Sequence, residues 1–416
     1  MNAPKLRFKE FNDDWKKINL KTVFNYYSTN SLSREQLSNS GIIKNIHYGD
    51  IHRKFSTIVD INRHVDSFIK DLNYKNKNEL CKNYDLIFAD ASEDYEGIGK
   101  AIELINVDFN TVSGLHTILA RDVQNSFAPK FKGYYFNSPI IHNQIRVLAN
   151  GFKVYGISKE TINKLNVNIP SKNEQTKIAN TLELLDKKIE LQSRKIEDLK
   201  LFKKGLIQKI FSSNNLSEVQ IKDLGTIITG TTPSKENKNY WNGGTIAWIT
   251  PTDINYERDI SNSITSLTKE GLKKGRLVPK NSILVTCIAS IGKNAVIKVD
   301  GSCNQQINAI IPNNKFNSNY IYYLMEYISP YLQSIAGTSA TAIVNKETFE
   351  RIKIKVHNYN DQSRIDKYLS SVETKILLED KLLNKLIKLK KGLMQSMFVW
   401  TLNYSSKRWF YCFFVL

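Results

Sequence analysis

One segment occurs twice in this chain, and that repetition constrains the fold more than any other feature. Asn173–Phe211 and Asn360–Phe398 align without a gap at an offset of 187 residues. Fourteen of 39 positions are identical, among them Gln175/Gln362, Ile178/Ile365 and the block Lys-Lys-Gly-Leu at 203–206 and 390–393. Self-similarity at a fixed offset signals duplicated architecture. The same offset extends back to Lys159-Glu160-Thr161 and Lys346-Glu347-Thr348. Alternating apolar residues follow each: Leu165, Val167, Ile169 and Ile352, Ile354, Val356. Period two predicts a strand, so each copy ends as strand, short turn and long helix.

Apolar residues in the first copy recur at Ile178, Leu182, Leu185, Ile189, Ile196, Leu199, Leu206 and Ile210, with Gln192 and Lys203 filling the two gaps. The second copy matches with Ile365, Leu369, Val372, Ile376, Leu383, Leu386, Leu393 and Met397, and with Glu379 and Lys390 in the same two slots. A 4,3 seam sustained over about five heptads predicts a coiled coil. No proline interrupts either segment, and each helix should run on the order of 55–60 Å. Matching seams in one chain predict that the two helices pair with each other, antiparallel about a pseudo-two-fold axis. Ile178 then faces Met397, Gln192 faces Leu383, Ile196 faces Glu379 and Ile210 faces Ile365.

The segments before each helix, 1–172 and 213–359, are rich in short apolar runs such as Tyr84–Ala89, Ser282–Ile288 and Ala295–Val299. They read as two mixed lobes with β cores. Weak matches relate them: Gly49-Asp50-Ile51 answers Thr252-Asp253-Ile254, and Gly97-Ile98-Gly99-Lys100 answers Ser290-Ile291-Gly292-Lys293. The domains expected are therefore 1–172, helix 173–212, 213–359, helix 360–399, and an aromatic tail 400–416. The fold class is α+β, with two related mixed α/β lobes joined by a long antiparallel two-helix coiled coil.

Lys and Arg number 59 against 40 Asp and Glu, a net charge of +19 spread over every segment. Such an excess suits a polyanionic partner. No apolar run approaches the 18 or so residues of a membrane span, so no membrane association is expected. The first fifteen residues lack the apolar core of a secretory leader. Four scattered cysteines without a CxxC argue against a disulfide framework or zinc cluster and for a reducing cytoplasm.

Two variable lobes, each followed by a helix that opens Asn-(Glu/Asp)-Gln-(Thr/Ser)-(Lys/Arg)-Ile and closes Lys-Lys-Gly-Leu-x-Gln, resemble the specificity subunit of type I restriction–modification systems. Gly230-Thr231-Thr232-Pro233-Ser234, Tyr240-Trp241, Gly243-Gly244, Trp248 and Asp253-Ile254 resemble the opening of a target recognition domain of that family. The resemblance covers about residues 10–399. It implies that each lobe reads one half of a bipartite site in double-stranded DNA. It implies that the paired helices set the gap and dock modification (methyltransferase) subunits, through which restriction (ATP-dependent nuclease) subunits join. Catalysis then lies in the partners. The first lobe lacks the GTTPS run, so its reading loop cannot be carried over from the family.

The motifs of an enzyme are missing. Asn137-Ser138-Pro139-Ile140 lacks the second proline and aromatic of a methyltransferase tetrad. Gly99-Lys100 and Gly292-Lys293 are followed by Ala101 and Asn294, so neither is a phosphate-binding loop. Asp90, Glu93, Asp94 and Glu96 read as a solvated loop rather than a metal cluster, and the histidines show no paired spacing. No cofactor and no metal is expected. A methyltransferase with its own cofactor site and a coiled-coil scaffold without DNA specificity remain the alternatives.

Candidate DNA contacts follow from residue chemistry. Thr231, Thr232, Ser234 and Lys235 offer hydroxyls and a charge on a turn. Lys100 and Lys293 follow glycines at strand-to-strand loops and suit phosphate. Gln144, Gln305 and Gln306 are amides of the kind that read adenine with two bonds. Each of these could equally serve structure, and Trp241 and Trp248 read as anchors of their loop.

Overall fold

Two long helices, Lys172–Phe211 and Tyr359–Ser396, dominate the computed structural model. It describes residues 3–399 except 72, 76, 77, 150, 152, 153, 214, 215, 256 and 338–341; the tail 400–416 lies outside the described residues. The chain divides into two compact units, one of residues 1–192 with 382–416, the other of residues 193–381. Each unit holds one lobe and a stretch of both helices.

The helices pair antiparallel within each unit. In the first unit Asp186 bonds Lys390. In the second, Lys195 bonds Glu379 and Lys203 bonds Glu373. As one partner's number climbs from 186 to 203, the other falls from 390 to 373, and each pair lies within one residue of the facing pairs the seam predicts. Ile178, Leu182, Leu185, Gln192, Ile196, Leu369, Ile376 and Leu386 are buried, while Ile189, Val372, Glu379 and Leu383 are half-buried. The seam of the first copy continues into its lobe's core, where Ile178 and Leu182 pack with Phe131, Tyr135, Met397 and Phe398. In the second unit Ile207, Phe211 and Leu369 pack with Tyr320, Tyr323 and Phe349.

The repeated glutamine explains the start of each helix. Gln175 accepts from Ala128 N at 2.8 Å and donates to Pro170 O at 3.0 Å. Gln362 accepts from Asn317 N at 3.1 Å and donates to His357 O at 2.9 Å. Both amides are buried, and each ties the helix to the strand end before it and to a loop of its lobe.

Both lobes carry a five-stranded sheet of the same order. In the first, the strands run Phe24–Tyr27, Thr117–Asp122, Leu86–Ala89, Ala101–Ile105, Ile58–Asp60. In the second they run Gly225–Thr229, Ile307–Pro312, Ile283–Thr286, Asn294–Ile297, Asp259–Ile260. Only the last neighbours of each sheet are parallel. Both faces are covered: Leu86 and Phe88 enter one core and Ile87 and Ala89 another, as Ile283 and Val285 part from Leu284. Beside each sheet lies a smaller one. Lys44–Ile46 runs parallel to Thr111–Ser113, and Ile246–Ile249 parallel to Ser302–Cys303. The strands expected before the long helices are Val167–Ile169 and Lys353–Val356, paired with Lys16–Ile18 and Ser217–Gln220.

Candidate nucleic-acid interface

In the second lobe the strand Gly225–Thr229 runs into Gly230-Thr231-Thr232-Pro233-Ser234, held tightly by backbone bonds. Gly230 N donates to Ile307 O at 3.0 Å and Thr231 N to Cys303 O at 2.8 Å. A Cβ on Gly230 would stand 2.1 Å from Asn304 O and 2.3 Å from Cys303 O, so only glycine fits. Two indoles fix the loop from outside: Trp248 Nε1 donates to Thr231 O at 3.0 Å and Trp241 Nε1 to Ser234 O at 2.9 Å. Their rings meet edge to face at 5.0 Å. The tryptophans therefore anchor the loop.

This approach joins the loop to Gln305-Gln306. The Thr232 hydroxyl donates to Gln305 Oε1 at 2.5 Å, and Asn304 Nδ2 donates to Gln306 Oε1 at 2.9 Å. Ser234, Lys235 and Gln305 are exposed. Thr232 and the two glutamines thus present amide N–H groups and a hydroxyl on one rigid rim, beside Ser234 and the Lys235 ammonium.

The remaining candidates lie elsewhere. Lys293 is exposed after Gly292, whose φ is +84°, and lines a cavity of about 300 Å³ with Ser290 and Gln333. The Lys100 ammonium turns inward to His52 O and Phe55 O at 3.2 and 3.3 Å, and burial pulls its pKa below the ordinary lysine range. Gln144 makes a two-bond clasp on the backbone of Asn166, at 3.1 and 2.8 Å. In the acidic loop, Asp94 accepts from Gly97 N, Glu96 pairs with Arg146, and Asp90 meets His116 at 3.2 Å. No group of three metal-ligating side chains gathers among the described residues.

The first lobe has a counterpart that sequence reasoning missed. Asn30 N donates to Ser113 O as Thr231 N does to Cys303 O. Gly114 N bonds Ile46 O as Asn304 N bonds Ile249 O, and Asp90 N bonds His116 O as Cys287 N bonds Gln306 O. These equivalences put Thr29–Ser33 in the place of Gly230–Ser234, and Leu115 and His116 in the place of Gln305 and Gln306. Around this rim, His116 is half-exposed with its ring 5.2 Å from that of Tyr48. Arg34 holds Asp50 with two 2.9 Å bonds, and Asn30 Nδ2 donates to Asn45 Oδ1 at 2.7 Å. The Asp-Ile match of residues 50–51 and 253–254 was the one sequence signal that pointed here, since both follow the equivalent strand.

A family model described as the type I restriction modification DNA specificity domain matches residues 12–201 and again 214–388. The chain belongs to this specificity family. Its two matched stretches coincide with the two copies of lobe and helix. Similar curated members include the MjaIX specificity subunit of Methanocaldococcus jannaschii, 37% identical over 168 residues, 39% of this chain and 38% of that one. The HindI specificity subunit of Haemophilus influenzae is 33% identical over 139 residues, 32% of this chain and 30% of that one. The matches thus span well under half of these relatives' length. Among solved structures, an S subunit of a type I system from M. genitalium covers 95% of this chain and 99% of its own at TM-score 0.56 and 16% identity. A chain from a structural study of type I assembly and conformational transition covers 94% and 99% at TM-score 0.62 and 14% identity. At such identities these two show a shared fold.

Proposed function

We propose that this chain is the DNA-reading subunit of a type I restriction–modification complex and performs no chemistry of its own. Each lobe, residues 1–172 and 213–359, reads one half of a bipartite target in double-stranded DNA. The chain then directs modification and restriction subunits to that target in the cytoplasm. One observation carries the reading: both lobes place exposed hydroxyl and cationic groups on equivalent loops of equivalent sheets. In the second lobe the readers are Thr231, Thr232, Ser234, Lys235, Gln305 and Gln306, with Lys293 on phosphate. In the first they are the Thr29–Ser33 loop and His116. The net charge of +19 supplies the attraction that phosphate contacts require.

The test is methylation-aware sequencing of DNA from cells carrying the subunit with its modification partner. A two-part methylated motif is expected. A double variant, Thr232→Ala with Gln305→Ala, should relax or change one half of it and leave the other half intact. A scaffold without specificity would leave the motif unaltered, and methyl-donor binding by the isolated chain would restore the enzyme reading.

A further inference from the structure

In the first unit the N-terminal arm lies against the junction of the two helices. Leu6 N donates to Ser396 O at 2.9 Å. The Arg7 guanidinium grips both oxygens of Glu174 at 2.8 Å. The Lys177 ammonium sits 4.6 Å from the centre of the Phe8 ring and pairs with Glu10. Phe8 packs on the core that includes Ile178, Met394 and Met397. Under this cover Glu174 is 1%, Ile178 2% and Met397 3% exposed.

The 187-residue offset locates the same place in the second unit. Asp361 stands for Glu174, Arg364 for Lys177, Ile365 for Ile178 and Ile210 for Met397. Charge and apolar character are kept at all four positions. Here they line an open groove of about 610 Å³, together with Leu206 and Tyr368. The Asp361 side chain is 42% and that of Arg364 84% exposed, against 1% for Glu174. Topology explains the difference. Ser217 faces Val356 as Lys16 faces Ile169. The residues that would occupy the arm's rank before Ser217 form the last turn of the helix Lys172–Phe211. The second copy has the socket and has given its arm to the helix.

We propose that this groove receives an extended arm of a partner chain, in which an apolar residue is followed by arginine and an aromatic ring. The arginine bonds Asp361 as Arg7 bonds Glu174. The ring lies on Ile365 and Ile210 beneath Arg364, a cation over an aromatic face. The chain's own arm is already engaged in the first unit. Its tail also carries a basic–aromatic run, Lys407–Tyr411. Binding by a chain that lacks residues 400–416 separates that tail from a partner's arm as the occupant.

The probe is a labelled synthetic peptide of residues 3–14, titrated by fluorescence anisotropy onto the full chain. Saturable binding at one site is expected, weakened at least tenfold by Asp361→Arg. A peptide carrying Arg7→Glu should fail on the unaltered chain and bind the Asp361→Arg variant. That reversal also shows the variant is folded. Binding indifferent to Asp361→Arg, or no saturable binding to the full chain, overturns the proposal. Binding that appears only after removal of residues 400–416 overturns it too, and assigns the groove to the chain's own tail or that of a second copy. None of these outcomes depends on DNA reading.

Discussion

Lys203 and Lys390 sit where a coiled-coil seam ordinarily carries an apolar side chain, and each is held by the same constellation. Lys203 bonds Glu373 at 2.7 Å, and its ammonium is 5.4 Å from the Tyr323 ring, while the Tyr323 hydroxyl donates to Glu373 at 2.8 Å. Lys390 bonds Asp186 at 2.5 Å and is 5.8 Å from the Tyr134 ring, while Tyr134 donates to Asp186 at 2.9 Å. A polar seam residue therefore locks helix to lobe in each unit. Lys203 also bonds Glu326, whose carboxyl is raised above the ordinary range by burial. Removing the lysine leaves two acids facing each other with little water. Lys203→Met is expected to destabilise the chain by about 1–3 kcal/mol, read by urea unfolding. Lys203→Arg should recover part of the loss. At Gly230 the expected effect is functional. Gly230→Ala pushes a methyl into the carbonyls of Cys303 and Asn304, so the loop must move while the two lobe cores stay intact. Unchanged thermal unfolding with loss of specific DNA binding at one half-site is the expected pair of results.

Among the elements, the helices were legible and the sheets were not, for a physical reason. A seam repeats one requirement every three or four residues over 40 positions, so chance cannot imitate it, and the helices end within three residues of their expected bounds. The sheet strands are short and covered on both faces. Leu86–Ala89 and Ile283–Thr286 are buried at every position, so no period-two alternation marks their faces or their order. The equivalent loop of the first lobe was hidden for a related reason. Its place is fixed by backbone bonds such as Asn30 N to Ser113 O, which constrain geometry and leave side chains free to differ. Thr29–Ser33 shares little with Gly230–Ser234 beyond the place it occupies. The same reasoning predicts what the helices measure. Inserting one turn in both helices adds about 5.4 Å along the helix pair. The spacer between the two halves of the recognised sequence should lengthen. An unchanged spacer would show that the helices are not the ruler.

At the level of the whole molecule, duplication gives the two lobes one scaffold, and under the proposed function it makes them separable readers. Strand order, the parallel edge pair and the helix-locking glutamine recur in both, while the rims diverge: threonine and glutamine in one, serine and histidine in the other. Positions that hold the fold are bound to backbone or core, and positions on the rims carry few such constraints, so specificity can drift without loss of stability. Variants should therefore sort by lobe. His116→Ala with Ser31→Ala, both exposed, is expected to relax the half-site opposite to the one changed by Thr232→Ala with Gln305→Ala. Asn30 is left in place, because its buried amide bonds Asn45 Oδ1 and Ser113 O and holds the loop, so both double variants should cost little stability. Each mismatch tolerated at a half-site should correspond to roughly 1–3 kcal/mol of lost discrimination, nearly additive when both lobes are altered. Competition binding with DNAs mutated in one half or the other measures this. If a rim variant in one lobe blurs both halves equally, the lobes are not independent readers, and the equivalence drawn from their shared backbone bonds does not extend to recognition.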